Sequence, residues 1–404
     1  MKILRRQVLK WGAALVAMGP TVPGFVNRTA YAASARNDAT LVLIQLIGGN
    51  DGLATVVPYS DPAYADLRPE IADPLDSLVT LTDEHALHPA MAPLRGLWDE
   101  AALAIVQGVG YPNPNRSHFR SIEIWDTAQP DRIDDAGWLG RYLDHVNPGS
   151  ALYAINVGDT AAAVTRRTRQ PVPSVPDLDT FSFNVPDVPL DAAAQLAAIE
   201  RIYAEAGTVT PQEEFLRGVA ATAMQAASDL RTMGAGFESA AEYPSGAFGD
   251  SLRLVAQLIA GGSGTRVFTT TLGGFDTHSG QQPQHTRLLE TLAVGIVALM
   301  NDLRDHRVAE DVVIATYSEF GRRPRQNGSD GTDHGTAAPL FVIGESVRGG
   351  MYGATPSLTD LDAEGDLRFT TDFRSVYATL LDRWLDAPSG LVLEDSFPAL
   401  DFLD

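Results

Sequence analysis

The sequence predicts an α/β fold with a mainly parallel central sheet and helices on both faces. Six short runs have strand length and β-branched content, and most of them are apolar almost continuously, which is typical of strands buried on both faces of a parallel sheet. Helix-period segments separate many of these runs, and strands that alternate with helices indicate an α/β protein. The six predicted strands are 41–47, 103–109, 152–157, 266–271, 311–317 and 340–343.

The clearest helical period lies at 282–306. Apolar side chains recur there at three- and four-residue steps, as at Leu289, Leu292 and Ile296, which predicts an amphipathic helix. Residues 158–250 break the alternation of strands and helices. They begin with a proline-rich loop and continue as an alanine-rich helical pattern. This pattern predicts a partly helical insertion over one end of the sheet.

The first 32 residues have the layout of an export signal: basic residues, a short apolar run and a small-residue ending at Ala32. The adjacent Arg5 and Arg6 are typical of twin-arginine signals. An uncleaved membrane anchor is the alternative, but the apolar run is shorter than the roughly 20 residues that span a bilayer. We therefore expect cleavage after Ala32 and no stable membrane span afterwards. The twin-arginine machinery would deliver 33–404, a single α/β domain, to the periplasm or the exterior.

The composition of the chain argues against some classes of binding partner. The formal net charge is −21, which argues against binding to nucleic acid or to anionic membranes. A negatively charged substrate would need a local group of arginines. The sequence contains no cysteine, so an exported form has no disulfides, and a large core or a bound metal must stabilise it.

Acidic side chains and histidines lie beside four of the predicted strands. In open α/β sheets, ligands bind outside the carboxyl ends of the strands. Any one of these residues alone is more often a turn or a helix cap. Together they would repel one another unless a cation lay between them, and oxygen and nitrogen ligands without sulfur suit zinc, manganese, magnesium or calcium. The predicted metal ligands are Asp51, Asp276, His278, Glu319 and His334.

The loop 111–121 supplies the candidate catalytic residues. Ser117 beside a metal could act as a nucleophile, and a metal-bound water assisted by His118 is the alternative nucleophile. Alternatively, Ser117 is the N-cap of the following helix. Neighbouring arginines could clamp a phosphate, sulfate or carboxylate group, or they could neutralise an acidic surface. The predicted substrate-binding residues are Asn50, Arg116, Arg120, Arg322 and Arg323.

Six motifs together resemble an exported bacterial family known as domain-of-unknown-function family 1501. They are IGGNDG, LHPAM, GVGYPNPNRSHF, GGFDTH, YSEFGR and DHGTAAPLFVIG. That family looks like a distant branch of the alkaline phosphatase and sulfatase superfamily, whose members hold one or two metals on an α/β sheet. The resemblance implies an alkaline-phosphatase-like fold that covers nearly the whole mature chain.

The resemblance also implies roles for individual residues. Asp51 takes the place of the metal-binding aspartate after the first strand, and Ser117 lies near the expected nucleophile. Asp276 and His278 resemble the aspartate and histidine of one metal site, with a shorter spacing, and His334 resembles the late histidine. Glu319 matches the aspartate of a strand-end motif whose next residue is histidine. Phenylalanine follows Glu319 instead, so one histidine ligand of the two-metal pattern is missing.

Two functions follow from these residues. The first is an exported metal-dependent hydrolase of phosphate or sulfate esters, or of a related anionic small molecule or polymer. The second is a non-catalytic, metal-stabilised binding or assembly protein with the same fold. A glycosidase with paired carboxylates would need two acids without histidine or metal, so it ranks last.

Overall fold

The computed structural model describes residues 39–148, 150–158, 162–166, 172–177, 229–230, 232 and 236–404. The strands are β1 (Thr40–Ile47), β2 (Val56–Val57), β3 (Val79–Thr80), β4 (Ala86–Leu87), β5 (Leu103–Gly110), β6 (Ala154–Asn156), β7 (Val267–Gly273), β8 (Val312–Ser318), β9 (Ala338–Ile343), β10 (Gly350–Tyr352) and β11 (Thr371–Asp372). The α-helices are α1 (Gly52–Thr55), α2 (Pro62–Leu67), α3 (Arg95–Asp99), α4 (His118–Thr127), α5 (Trp138–Val146), α6 (Ala247–Ala260), α7 (Gln281–Asp305), α8 (Phe373–Thr379) and α9 (Ser389–Val392).

The larger sheet has the strand order β10–β5–β9–β8–β1–β7–β6, and β11 also pairs with β5. The central strand β1 is parallel to both of its neighbours, with Leu41 opposite Val267 of β7 and Val313 of β8. Strand β9 runs antiparallel to β5 and β8, whereas the remaining pairs are parallel. A small antiparallel sheet has the order β2–β4–β3.

Helices cover both faces of the larger sheet. Side chains alternate along a strand, so Leu41 and Leu43 of β1 pack with residues of α4, α5 and α8. Val42 and Ile44 point the other way and pack with residues of α6 and α7. Full burial of such a side chain contributes about 1.5–3 kcal/mol relative to exposure. The continuous apolar composition of β1 follows from this burial on both faces.

The predicted α/β class with a mainly parallel sheet is confirmed. Each of the six predicted runs contains a strand, and the predicted helix at 282–306 is α7. The sequence did not indicate that β9 is antiparallel. The predicted signal segment and most of the predicted insertion at 158–250 lie outside the described residues. Among the described helices, none is long and apolar enough to cross a membrane.

Candidate metal centre

Four loops bring polar side chains to one end of the larger sheet. The parallel strands β1, β7 and β8 end there, and the antiparallel β9 begins there. Asp276 and His278 follow β7, and Glu319 follows β8. His334 precedes β9, and His118 begins α4 after the end of β5. The reversed direction of β9 explains why its contribution comes before the strand.

Three histidines each direct Nδ1 at an acceptor that has no proton to donate. The acceptors are a backbone carbonyl and two carboxylates, so Nδ1 of each ring carries the hydrogen. A neutral imidazole then has its lone pair on Nε2, which is the form that binds a metal. The distances are 2.9 Å from His334 to the Arg116 carbonyl oxygen, 2.8 Å from His118 to Glu319 Oε1, and 3.2 Å from His278 to Asp333 Oδ1.

The Nε2 atoms of these three rings converge on the carboxylate of Asp276. His278 Nε2 and His334 Nε2 each lie 3.0 Å from Asp276 Oδ1, and His118 Nε2 lies 3.5 Å from Oδ2. The Nε2 atoms of His278 and His334 are 3.0 Å apart. Two nitrogen lone pairs at that distance repel unless a cation or a proton lies between them. We call His118, Asp276, His278 and His334 the histidine cluster.

The spacing of His118, Asp276 and His334 within the histidine cluster fits a small cation. Zinc with bonds of about 2.0–2.1 Å in tetrahedral geometry has ligand atoms about 3.3 Å apart, close to the distances above. The ligand atoms of His118, Asp276 and His334 all lie within 4.8 Å of one another. His118 Nε2 is buried and has no hydrogen-bond partner among the described residues. Carboxylate and carbonyl partners on Nδ1 are also typical of metal-binding histidines.

The charge states suit a cation as well. Burial lowers the pKa of His334, although the hydrogen bond from its Nδ1–H to the Arg116 carbonyl oxygen acts in the opposite direction. The neutral ring is therefore favoured. Burial acts to raise the pKa of Asp276, but the hydrogen bond and the positive charge of Arg322 outweigh burial and lower this pKa to about 2. Asp276 is therefore ionised at neutral pH, and its side chain is 48% exposed, so the histidine cluster is open to solvent on that side.

Gly48 and Arg322 fix the position of Asp276. Gly48 has φ +119°, and a Cβ there would lie 2.4 Å from the backbone nitrogen of Asp276, so only glycine allows this approach. The Gly48 N–H donates to Glu319 Oε1 at 2.9 Å. The buried Arg322 guanidinium donates to the Gly49 carbonyl and to Asp276 Oδ1, each at 2.7 Å. Arg322 thus orients a candidate ligand from inside the protein.

Asp51 and Asn50 lie in a buried polar network after β1. Asp51 Oδ2 accepts hydrogen bonds from Arg68 and Gln281, each at 2.6 Å. Burial acts to raise the pKa of Asp51, but Arg68 more than offsets it, and the pKa is about 2. His285 Nε2 lies 2.9 Å from Asn50 Oδ1. These hydrogen-bond partners occupy the polar groups of Asp51 and Asn50. The predicted roles of Asp51 as a metal ligand and of Asn50 as a substrate contact therefore rest on the sequence alone.

The remaining predicted arginines have different partners. Arg116 and Arg323 share the buried carboxylate of Asp366, at 2.8 and 3.3 Å. Both side chains are about a third exposed, so they retain surface for an anion. Arg120 instead pairs with Glu123 at 2.8 Å and donates to backbone carbonyls of the loop after α4. Its guanidinium therefore stabilises that loop.

Ser117 occupies the N-cap position of α4. Its backbone N–H donates to Asn115 Oδ1 at 2.8 Å, but its hydroxyl makes no capping hydrogen bond within the described part of the chain. The side chain is exposed. Both neighbours reach the histidine cluster, Arg116 through its carbonyl oxygen and His118 through its ring. Ser117 thus lies in the chain between two residues that contact the histidine cluster.

The structure assigns contacts that differ from those expected for two residues. The sequence places His118 among the catalytic residues and Glu319 among the ligands. In the structure, His118 presents Nε2 to the histidine cluster, and Glu319 holds the opposite side of that ring. Asp333 holds His278 in the same way, and its only signal in the sequence is its position next to His334. The Phe320 ring packs on His118 and His334, with centroids 4.9 and 4.7 Å apart.

The fold and the histidine cluster define an α/β protein with a candidate cation site at the carboxyl ends of its central strands. The chain belongs to the family described as "Protein of unknown function (DUF1501)", whose model matches residues 38–395. The resemblance to this family is confirmed. No curated protein matches the chain.

Several solved structures are similar to this chain. A lipoteichoic acid synthase, LtaP, from Listeria monocytogenes is 8% identical, with 76% of this chain and 65% of that chain covered and a TM-score of 0.32. A protein in the alkaline phosphatase superfamily from Vibrio parahaemolyticus is 9% identical, with 87% and 71% covered and a TM-score of 0.32. The PsFucS1 sulfatase from Pseudoalteromonas sp. is 13% identical, with 93% and 72% covered and a TM-score of 0.38.

Proposed function

We propose that this chain is an exported metal-dependent hydrolase of phosphate esters, sulfate esters or related anionic compounds. The observation that carries the proposal is the convergence of three imidazole Nε2 atoms on Asp276, with every Nδ1 held by an acceptor. A divalent cation bound there would act as a Lewis acid and lower the pKa of a nearby hydroxyl. Three imidazoles favour zinc or another transition ion over calcium or magnesium, which prefer oxygen ligands.

The residues of the chain supply orientation, a nucleophile and positive charge. The exposed Ser117 hydroxyl is the nucleophile in this proposal. Arg116 and Arg323 together carry two positive charges against the single carboxylate of Asp366, so an anionic group can bind beside them. Arg116 is adjacent to Ser117 in the chain, so both can contact one ester group. His118 positions the nucleophile, because it is adjacent to Ser117 in the chain and its ring is held in the histidine cluster.

A structural cation site is the second candidate function. If all three histidines and Asp276 bind the ion, the site has four protein ligands, and closed four-coordinate sites are typical of structural zinc. The exposed sides of Asp276 and His278, at 48% and 44%, leave room for a further ligand and favour catalysis. Activity measurements on metal-loaded protein separate these two functions.

The test begins with the mature chain loaded with zinc or manganese and assayed on 4-nitrophenyl phosphate, a phosphodiester and 4-nitrophenyl sulfate. We expect turnover of at least one ester, and Ser117→Ala should lower kcat by about a thousandfold or more at unchanged metal content. Ser396→Ala, which alters an exposed serine near the carboxyl terminus, is the matched control. Full turnover by Ser117→Ala would remove Ser117 as the nucleophile. Metal-loaded protein that hydrolyses none of the esters would favour the structural site.

We further propose that residues 1–32 direct folded protein to the twin-arginine machinery, and that the chain acts in the periplasm or outside the cell. The support is the sequence of that segment and the absence of cysteine. Replacement of both Arg5 and Arg6 by lysine should leave precursor in the cytoplasm. Normal export of this double variant would contradict the proposal.

A further inference from the structure

A cavity of about 330 Å³ lies next to the histidine cluster. The side chains of Tyr111, Pro114, Phe320, Leu367 and Phe369 form much of its wall. Tyr111, Phe320 and Leu367 belong to the buried core, and Phe369 is 37% exposed at the margin. Ligand pockets in proteins are typically about 300–1,000 Å³ and mostly apolar. The size and the wall both fit a small apolar group.

The cavity shares its wall with the histidine cluster. The ring of Phe320 lines the cavity and also packs on His118 and His334. On another side, Asn115 lines the cavity, and the next residue, Arg116, accepts the Nδ1–H of His334 through its carbonyl oxygen. A compound that reaches the histidine cluster with one end therefore has the cavity beside it.

Several polar groups of the wall already have hydrogen-bond partners in the protein. The Tyr111 hydroxyl accepts the Asn115 N–H at 3.0 Å, and the Thr336 hydroxyl donates to the Leu367 carbonyl oxygen. The Asp362 carboxylate accepts two backbone N–H groups of its own loop, at 3.0 and 2.8 Å. A polar occupant would find few of its hydrogen bonds met, and burial of unmet polar groups is costly. The wall is therefore suited to an apolar occupant.

Positive charge lies at the same margin. Asp366, which precedes the wall residue Leu367, binds both Arg116 and Arg323. A molecule with an apolar group in the cavity can thus place an anionic group near these guanidinium groups and the histidine cluster. Arg368, also at the margin, pairs with Asp360 at 3.3 Å.

We propose that this cavity binds the aryl group of an anionic ester whose charged group lies at the histidine cluster. The inference rests on the proposed hydrolase function and names its substrate class: aryl phosphates or sulfates rather than esters of small or strongly polar alcohols. An aryl group of one or two fused rings matches the cavity in size, because an apolar cavity of about 150 Å³ accepts a benzene ring. Phe369 contacts the aryl group at the open margin.

The experiment uses 1-naphthol, a neutral aryl probe, titrated into the metal-loaded mature chain by calorimetry. We expect saturable binding that 1-naphthalenesulfonate, an anionic aryl compound without an ester bond, displaces. Phe369→Ala should weaken this binding about tenfold, because it removes one aromatic contact. The matched control is Phe119→Ala, which removes a phenylalanine that is 90% exposed and lies outside the cavity wall. This control should bind 1-naphthol as the wild type does, and melting curves verify that both variants fold.

The outcomes separate this inference from the proposed function. Absence of 1-naphthol binding to the wild type, or equal weakening by both phenylalanine variants, would overturn the cavity assignment. Equal kcat/KM for methyl phosphate and 1-naphthyl phosphate would overturn it too, and would leave the hydrolase function standing. Binding of 1-naphthol that depends on Phe369 supports the assignment. If that protein hydrolyses no ester, the hydrolase function fails while the cavity remains a site for apolar rings.

Discussion

Replacement of Glu319 by glutamine should weaken cation binding while leaving all four candidate ligands in the chain. Glu319 is fully buried, and its Oε1 accepts from His118 Nδ1 at 2.8 Å and from the Gly48 N–H at 2.9 Å. Glutamine keeps the shape but accepts these hydrogens with a neutral oxygen. A hydrogen bond to a charged group contributes about 1.5–3 kcal/mol, against about 0.5–1.5 for a neutral pair. The difference of about 1.4 kcal/mol corresponds to about tenfold weaker binding.

The assay for Glu319→Gln is competition for zinc with a chromophoric chelator at fixed pH. Loss of a carboxylate that orients a metal-bound histidine typically lowers affinity by about 10–100-fold, in agreement with the tenfold estimate. Asp126→Asn is the matched control. Asp126 is a buried carboxylate on α4, the helix that begins with His118, and it accepts a hydrogen bond from Tyr317 and none from the histidine cluster. Zinc affinity of Glu319→Gln equal to that of the wild type would refute the role assigned to Glu319.

Two further predictions concern stability. Arg68→Met leaves the Asp51 carboxylate buried without its cation, so the free energy of unfolding in urea should fall by about 3–5 kcal/mol; a loss below about 1 kcal/mol would contradict the ion pair. Burial raises the pKa of Asp126 to about 7, although Tyr317 donates to it, so its stabilising protonated form is lost as pH rises through 7. The free energy of unfolding of the wild type should fall by about 3 kcal/mol between pH 5 and pH 8, and Asp126→Asn should not show this loss. Equal losses in both proteins would refute the raised pKa.

The sequence predicted the fold because burial on two faces leaves a direct mark on composition. Strands β1 and β8 are apolar at most positions, and α7 shows its period over 25 residues. Short strands such as β10, with three half-buried residues, leave no such mark. The direction of β9 depends on which neighbours it meets, and these neighbours are distant in the chain.

The sequence indicated which residues could form the candidate site better than it indicated the role of each residue. Parallel strand ends meet at one edge, so Asp276, His278 and His334 could be grouped from their positions after or before strands. Which atom of a histidine faces inward is set by its Nδ1 partner, and the partner of His118 is 201 residues away at Glu319. Sequence spacing does not contain that information. Asp51 follows a strand as Asp276 does, and its ion pair with Arg68, 17 residues further along the chain, could not be predicted from the sequence.

The most direct test of the central claim is X-ray absorption spectroscopy of zinc bound to the mature chain, combined with elemental analysis. We predict one divalent ion per chain, coordinated by three imidazole nitrogens and at least one oxygen at about 2.0–2.2 Å. His278→Ala should lower the imidazole count to two, whereas His145→Ala, on α5, should leave it at three. Protein without bound zinc, or a spectrum with no imidazole scattering, would contradict the assignment of the histidine cluster as a metal centre.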